Sequence, residues 1–132
     1  MPTIRKGTVK SKVKSTAHAN KSLLDAIVFG AQEKKAKDIV VMDLKSAGAP
    51  IADFFVVCHG DSHTQVDSIA HAIEDEVYKL TGEKPSFKEG YTNAEWILLD
   101  YINIVVHVFI QEQREYYGIE RFWADAKSKK IA

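Results

Sequence analysis

Apolar residues concentrate in one stretch, Glu95 to Phe109, which reads EWILLDYINIVVHVF. It is two runs about a short polar break near Tyr101 and Asn103. Val, Ile, Leu, Trp and Phe suit a pleated, half-buried surface, and each run has the length of an ordinary strand. The pattern predicts a hairpin in the middle of a sheet. Along its first strand Trp96, Leu98 and Asp100 share one face, and Ile97 and Leu99 share the other. An acid does not suit a wholly internal face, so Trp96 is expected to be partly exposed beside Asp100. The competing reading puts Trp96 in the core and Asp100 on the turn as its cap. His107 stands among Val and Phe, where a histidine usually packs as a satisfied core residue.

The rest of the chain supplies elements around this hairpin. Ser22 with Asp25 resembles a capping box and predicts a helix start, followed by Leu23, Leu24, Ile27, Val28 and Ala31 at helical spacing. The polar run from Gln32 to Lys37 ends that helix. Ile39 to Met42 is a continuous apolar run, the pattern of an interior strand. Ser46 to Pro50 is loop. Phe54 to Cys58 is a second strand. Ser62 with Gln65 is a full S-x-x-Q box and opens what is expected to be the longest helix, with Val66, Ile69, Ala70, Ile73, Val77 and Leu80 as its buried stripe and Gly82 as its stop. Glu83 to Asn93 reads as polar loop. Gln111 to Tyr117 and Ile119 to Ala126 read as two short helical pieces broken at Gly118, with Ile119, Phe122 and Trp123 packing back on the sheet. Helix Ser62–Leu80 can serve as a crossover between strands. The expected architecture is α/β of the α+β kind, a small mixed β-sheet flanked by helices.

Length and charge refine this picture. A chain of 132 residues makes one domain. The net charge of zero hides an asymmetry: residues 1–22 carry six basic residues and no acid, and residues 127–132 carry three more. The body between them has nine basic residues against all eighteen acids. The expected organisation is therefore a basic, unstructured extension over 1–21, a domain over 22–126 and a basic tail over 127–132. An acidic body argues against a groove that grips nucleic acid and favours a basic protein partner. The tails leave open a contact with RNA phosphates. The single cysteine, Cys58, fits a reducing compartment, and the N-terminus lacks the apolar core of a secretory signal. The expectation is a cytoplasmic protein, with a mitochondrial presequence as the alternative. No apolar run approaches the ~20 residues of a membrane helix.

Three constellations could carry catalysis. Asp43, Asp53 and Asp100 each stand at a strand end and could converge on Mg²⁺, as in a metal-dependent nucleotidyltransferase or phosphohydrolase, with Gly60-Asp61-Ser62 presenting backbone N–H groups to a phosphate. Yet no D-x-D pair lies on one strand, and neither a P-loop nor a dinucleotide-binding glycine fingerprint is present. Cys58, His59, Asp61 and His63 have the types of zinc ligands, but alternation along the strand sends Cys58 and His59 to opposite faces. Ser62 lacks the G-x-S-x-G elbow, since Thr64 stands where the second glycine belongs. Capping and core packing are the better readings of all three.

Taken together, DIVVMDL (38–44), ADFFVVCHGDSHTQV (52–66), Glu89-Gly90, EWILLDY (95–101), VVHVF (105–109), Arg114, Tyr117, Glu120 and Trp123 resemble the ribosomal silencing factor family, also called RsfS or Iojap. The resemblance covers roughly Leu23 to Trp123. The chain departs from it at Ile102-Asn103, where the family commonly has Gly-Asp, and at Phe122, where it usually has Leu. The resemblance implies a domain distantly similar to nucleotidyltransferases but without their catalytic carboxylates, with no metal and no cofactor. It further implies binding to one protein of the large ribosomal subunit, the one numbered fourteen, at the face that meets the small subunit. Blocking subunit joining there represses translation when nutrients are short. Free members are implied to be homodimers. Trp96, Asp100, His107 and Phe109 match motif positions near the expected contact surface, and Glu89 is an acidic candidate for a basic ribosomal partner.

Overall fold

The computed structural model describes residues 12–48 and 51–131. Residues 1–11 of the expected extension, and Ala49 and Pro50 of the expected loop, lie outside it. Helix α1 spans Lys12–Glu33 and is followed by β1 (Lys37–Asp43) and a single 3₁₀ turn, Leu44–Ala47. Then come β2 (Phe54–Gly60), α2 (His63–Thr81), β3 (Phe87–Glu89), β4 (Trp96–Asp100) and β5 (Ile104–Ile110). Helices α3 (Gln111–Tyr117) and α4 (Ile119–Phe122) and strand β6 (Lys127–Ile131) complete the chain. The six strands form one mixed sheet in the order β3-β4-β5-β2-β1-β6. Only β2 and β5 run parallel, with Val56 opposite Val106; the other pairs are antiparallel. No helix among the described residues is long and apolar enough to cross a membrane.

The expected helix start at Ser22 is corrected. Residues 12–21 contain no Gly or Pro and several good helix formers, so the helix continues through the Ser22 box. Asp25 instead pairs with Lys21, one turn back. At 22 residues α1, not the 19-residue α2, is the longest helix. The second box does cap: Ser62 Oγ accepts from the Gln65 N–H at 3.1 Å. The Gln65 side chain reaches one residue further back than the motif predicts, accepting from the Asp61 N–H at 2.8 Å. Its amide also donates to the carbonyls of Lys34 and Lys35, which ties the end of α1 to the start of α2.

Alternation along each strand divides the interior in two. One face of the sheet is covered by α1 and α2, with Ile27, Ile69, Ile73, Ile97, Leu99, Ile104 and Val106 fully buried between the layers. Each such side chain contributes about 1.5–3 kcal/mol by leaving water. The two helices cross closely at Gly30, where a Cβ would stand 2.7 Å from the Ile73 Cα. The opposite face carries a smaller cluster of Met42, Phe55, Val57, Val105 and Phe109. Ile119 and Trp123 pack on it as expected, but Phe122 is 78% exposed, and so is Leu80 of α2 at 62%. Leu80 stands in the last turn of α2, where nothing covers it.

Two strands were not foreseen. β3 lies in the expected polar loop and pairs with β4, Phe87 opposite Asp100 and Glu89 opposite Leu98. β6 is built from the basic tail and pairs with β1, Lys129 opposite Val41. Both are edge strands that bury little, so neither shows apolar alternation; lysines on such an edge also discourage pairing with other chains.

The hairpin turn has a conformational cost. Ile102 adopts φ of +75°. A β-branched residue in the left-handed region costs about 1–2 kcal/mol. Its side chain is 66% exposed and buries little in return. Ile102→Gly is therefore expected to raise stability by about 1 kcal/mol, after allowing for the greater freedom of glycine in the unfolded chain. A urea melt of the two proteins checks this; an unchanged or lower midpoint would contradict it.

Candidate functional site

All five residues proposed from the sequence lie on the sheet face away from α1 and α2. Register places them there: Glu89 is opposite Leu98, Leu98 opposite His107, and Trp96 opposite Phe109. Their exposure differs. Glu89 is exposed, Trp96 and Asp100 are half-buried, and His107 and Phe109 are buried beneath the indole. The Trp96 ring rests on Phe109, with centroids 5.0 Å apart, and is flanked by Tyr117 of α3 at 4.6 Å. Both readings of Asp100 and Trp96 hold in part. Asp100 Oδ1 accepts the Ile102 N–H at 2.7 Å and so caps the turn, while Trp96 keeps one side open.

The indole N–H donates to His107 Nδ1 at 3.1 Å. The neutral ring then carries its own proton on Nε2, which is buried without a partner. Phe55 meets this imidazole edge-on at 4.5 Å. Burial among these rings pushes the His107 pKa down to about 4. The histidine thus serves the site from below, holding the indole by a bond available only to its neutral form.

Beside Trp96 is a cleft of about 260 Å³ lined by Glu89, Gly90, Trp96 and Leu98. Gly90 allows the close approach that forms it: its φ is +99°, and a Cβ would fall 2.0 Å from the Trp96 carbonyl oxygen. Tyr117, Leu98 and Phe87 belong to the same surface and were not proposed. Phe87 is 53% exposed and shares the face of Asp100. Phe87 stands alone among polar residues, so no periodicity marked it. Tyr117 was visible only as one of the family positions.

Arg114 fixes the helix that carries Tyr117. Its guanidinium meets Glu120 at two points, 2.8 and 3.0 Å, and approaches His59 Nδ1 at 2.9 Å. The arginine side chain is 10% exposed and that of Glu120 35%, so this two-point pair is partly shielded. Burial, and then the nearby Arg114 charge, lower the His59 pKa.

The catalytic constellations do not assemble. Asp43 accepts the Ser46 N–H, Asp53 accepts the Asn20 amide at 2.9 Å, and Asp100 holds its own turn. Among the described residues no three His, Cys, Asp or Glu side chains are placed to share a metal ion. Cys58 is buried on the helix-covered side, where burial pushes its thiol up to about 12. His59 turns to Arg114, Asp61 pairs with Lys37 at 2.6 Å, and His63 meets the backbone carbonyls of Asn93 and Ala94. Ser62 is engaged as a helix cap.

Residues 16–132 match the family described as "Ribosomal silencing factor during starvation". The chain belongs to the ribosomal silencing factor family. Among relatives, Ribosomal silencing factor RsfS of Halalkalibacterium halodurans is 39% identical over 113 residues, 86% of this chain and 95% of that protein. RsfS of Bacillus subtilis is 38% identical over 106 residues, 80% of this chain and 88% of its own. The plant protein Iojap, chloroplastic, of Zea mays is 34% identical, and the match spans 76% of this chain but 43% of that one. A crystal structure from Bacillus halodurans superposes with a TM-score of 0.71 at 36% identity, covering 84% of this chain and 99% of that one. One from Chromobacterium violaceum gives 0.69 at 29% identity, covering 88% and 92%. The silencing-factor fold is thus shared over more than four-fifths of the chain.

Proposed function

We propose that this silencing factor represses translation by docking its Trp96 face on the large ribosomal subunit, at the protein numbered fourteen, and excluding the small subunit sterically. The observation that carries the reading is the half-open indole at the mouth of the Glu89–Leu98 cleft, supported from below by Phe109 and His107. A partly exposed Trp in an apolar setting with acids at its rim fits an interface anchor facing a basic partner. Glu89, Trp96, Asp100, Leu98, Phe87 and Tyr117 have exposed atoms that such a partner can touch; His107 and Phe109 are buried and shape the surface. No bond is made or broken in this mechanism. The rival reading, metal-dependent phosphoryl chemistry, needs Asp43, Asp53 and Asp100 together, and each of these carboxylates holds a different N–H in its own part of the fold.

Co-sedimentation with purified subunits tests the proposal. The protein is expected to travel with large subunits and not with small ones. Its affinity should fall as salt is raised, because the acidic body contributes by attraction. Equal partition between the two subunits, or none to either, would overturn the reading.

A further inference from the structure

The wall of the Trp96 cleft is carried by an element that should not hold its shape alone. β3 is three residues long, exposed throughout, and paired on one side only. Edge segments with so few buried contacts open readily. Yet Glu89 and Gly90 must stay beside Trp96 for the cleft to exist.

The residues on either side of that pair converge on one carboxylate. Lys88 alternates with Glu89 and lies opposite Leu99, so it points to the helix-covered side of the sheet. There its Nζ stands 3.2 Å from Glu74 Oε1 of α2. Tyr91, following Gly90, donates its hydroxyl to Glu74 Oε2. The Tyr91 ring also packs on His71, one turn earlier in α2, with centroids 4.7 Å apart. The Glu74 side chain is 17% exposed and that of Lys88 53%, so the part-buried Tyr91 bond is the shielded one and the Lys88 pair adds a weaker, surface attraction.

We propose that Glu74 is a positioning residue, stapling the Glu89–Gly90 wall in place from the opposite layer of the fold. It touches no partner; it acts through Lys88 and Tyr91. The proposal rests on the docking role given above to the Trp96 face. It accounts for two otherwise unabsorbed features, a half-buried acid on α2 and a tyrosine immediately after the Glu-Gly pair.

The test compares the full chain with Glu74→Ala, Glu74→Gln and Tyr91→Phe, reading amide hydrogen exchange and large-subunit binding in parallel. Glu74→Ala should speed exchange of the β3–β4 ladder amides by about tenfold, the scale of losing charge-assisted bonds. β5 amides should exchange as before, which shows that the fold is retained. Glu74→Gln keeps an acceptor for Tyr91 and loses the Lys88 attraction, so it should fall between, as should Tyr91→Phe. Binding should weaken in the same order. Unchanged β3 exchange in Glu74→Ala would overturn the staple. Faster exchange with undiminished binding would overturn its positioning role. A wild-type chain that failed to bind large subunits would instead overturn the docking reading, and the exchange measurement would still decide whether Glu74 holds the strand.

Discussion

Between pH 6.5 and 4 the folded chain is expected to lose about 3 kcal/mol of stability through one side chain, His107. In the unfolded chain this histidine takes a proton near pH 6.5; in the folded chain burial delays that to about 4. The folded pKa is the lower one, so the stabilisation is complete above pH 6.5 and declines as pH falls. Below about 4 both states are protonated and this group adds no further loss. Protonation would also convert Nδ1 from acceptor to donor and break its bond with the Trp96 indole. His59 shifts in the same direction, so the decisive quantity is a difference between proteins. Urea melts from pH 7.5 to 4 should show a steep decline for the wild type and a shallower one for His107→Phe. Parallel declines would mean that His107 is not held neutral by the fold.

Trp96→Ala is expected to lower large-subunit affinity about 30-fold, the ~2 kcal/mol typical of a central aromatic anchor. The structure adds a second effect. The indole packs on Phe109 and Tyr117 and donates to His107, so truncation should also cost about 2 kcal/mol of stability. Trp96→Phe separates the two effects. It keeps a ring over Phe109 and removes the N–H and part of the contact area. Its fold should lose only about 1 kcal/mol, from leaving His107 Nδ1 unpaired, while binding still falls. Undiminished binding by a folded Trp96→Ala protein would remove the indole from the interface.

The hairpin was legible because both its faces are constrained. Ile97 and Leu99 need the core, Trp96 and Asp100 do not, and alternation resolved them. The caps of α2 were legible because Ser62 and Gly82 carry local chemistry that needs no tertiary context. The edge strands were hidden for the opposite reason: Phe87–Glu89 and Lys127–Ile131 are held by ladder bonds that any sequence can make. The start of α1 was missed because a box motif describes a possible cap, not a necessary one. Within the site, alternation left Trp96 open between surface and core, and the structure makes it half-buried, with Glu89 exposed beside it. The burial of His107 and Phe109 required the register, which sets them beside Leu98 and Trp96 of β4 on the same face. The role of Tyr117 required the break at Gly118 and the Arg114–Glu120 pair, neither of which alternation or periodicity encodes.

Subunit joining measures the central claim most directly. Purified large and small subunits are mixed at a Mg²⁺ concentration that favours joining, with and without saturating protein, and the joined particles are quantified by sedimentation. The account predicts that joined particles fall while the protein travels with free large subunits, and that Trp96→Ala restores joining. Joined particles forming in full with the protein bound to them would contradict it.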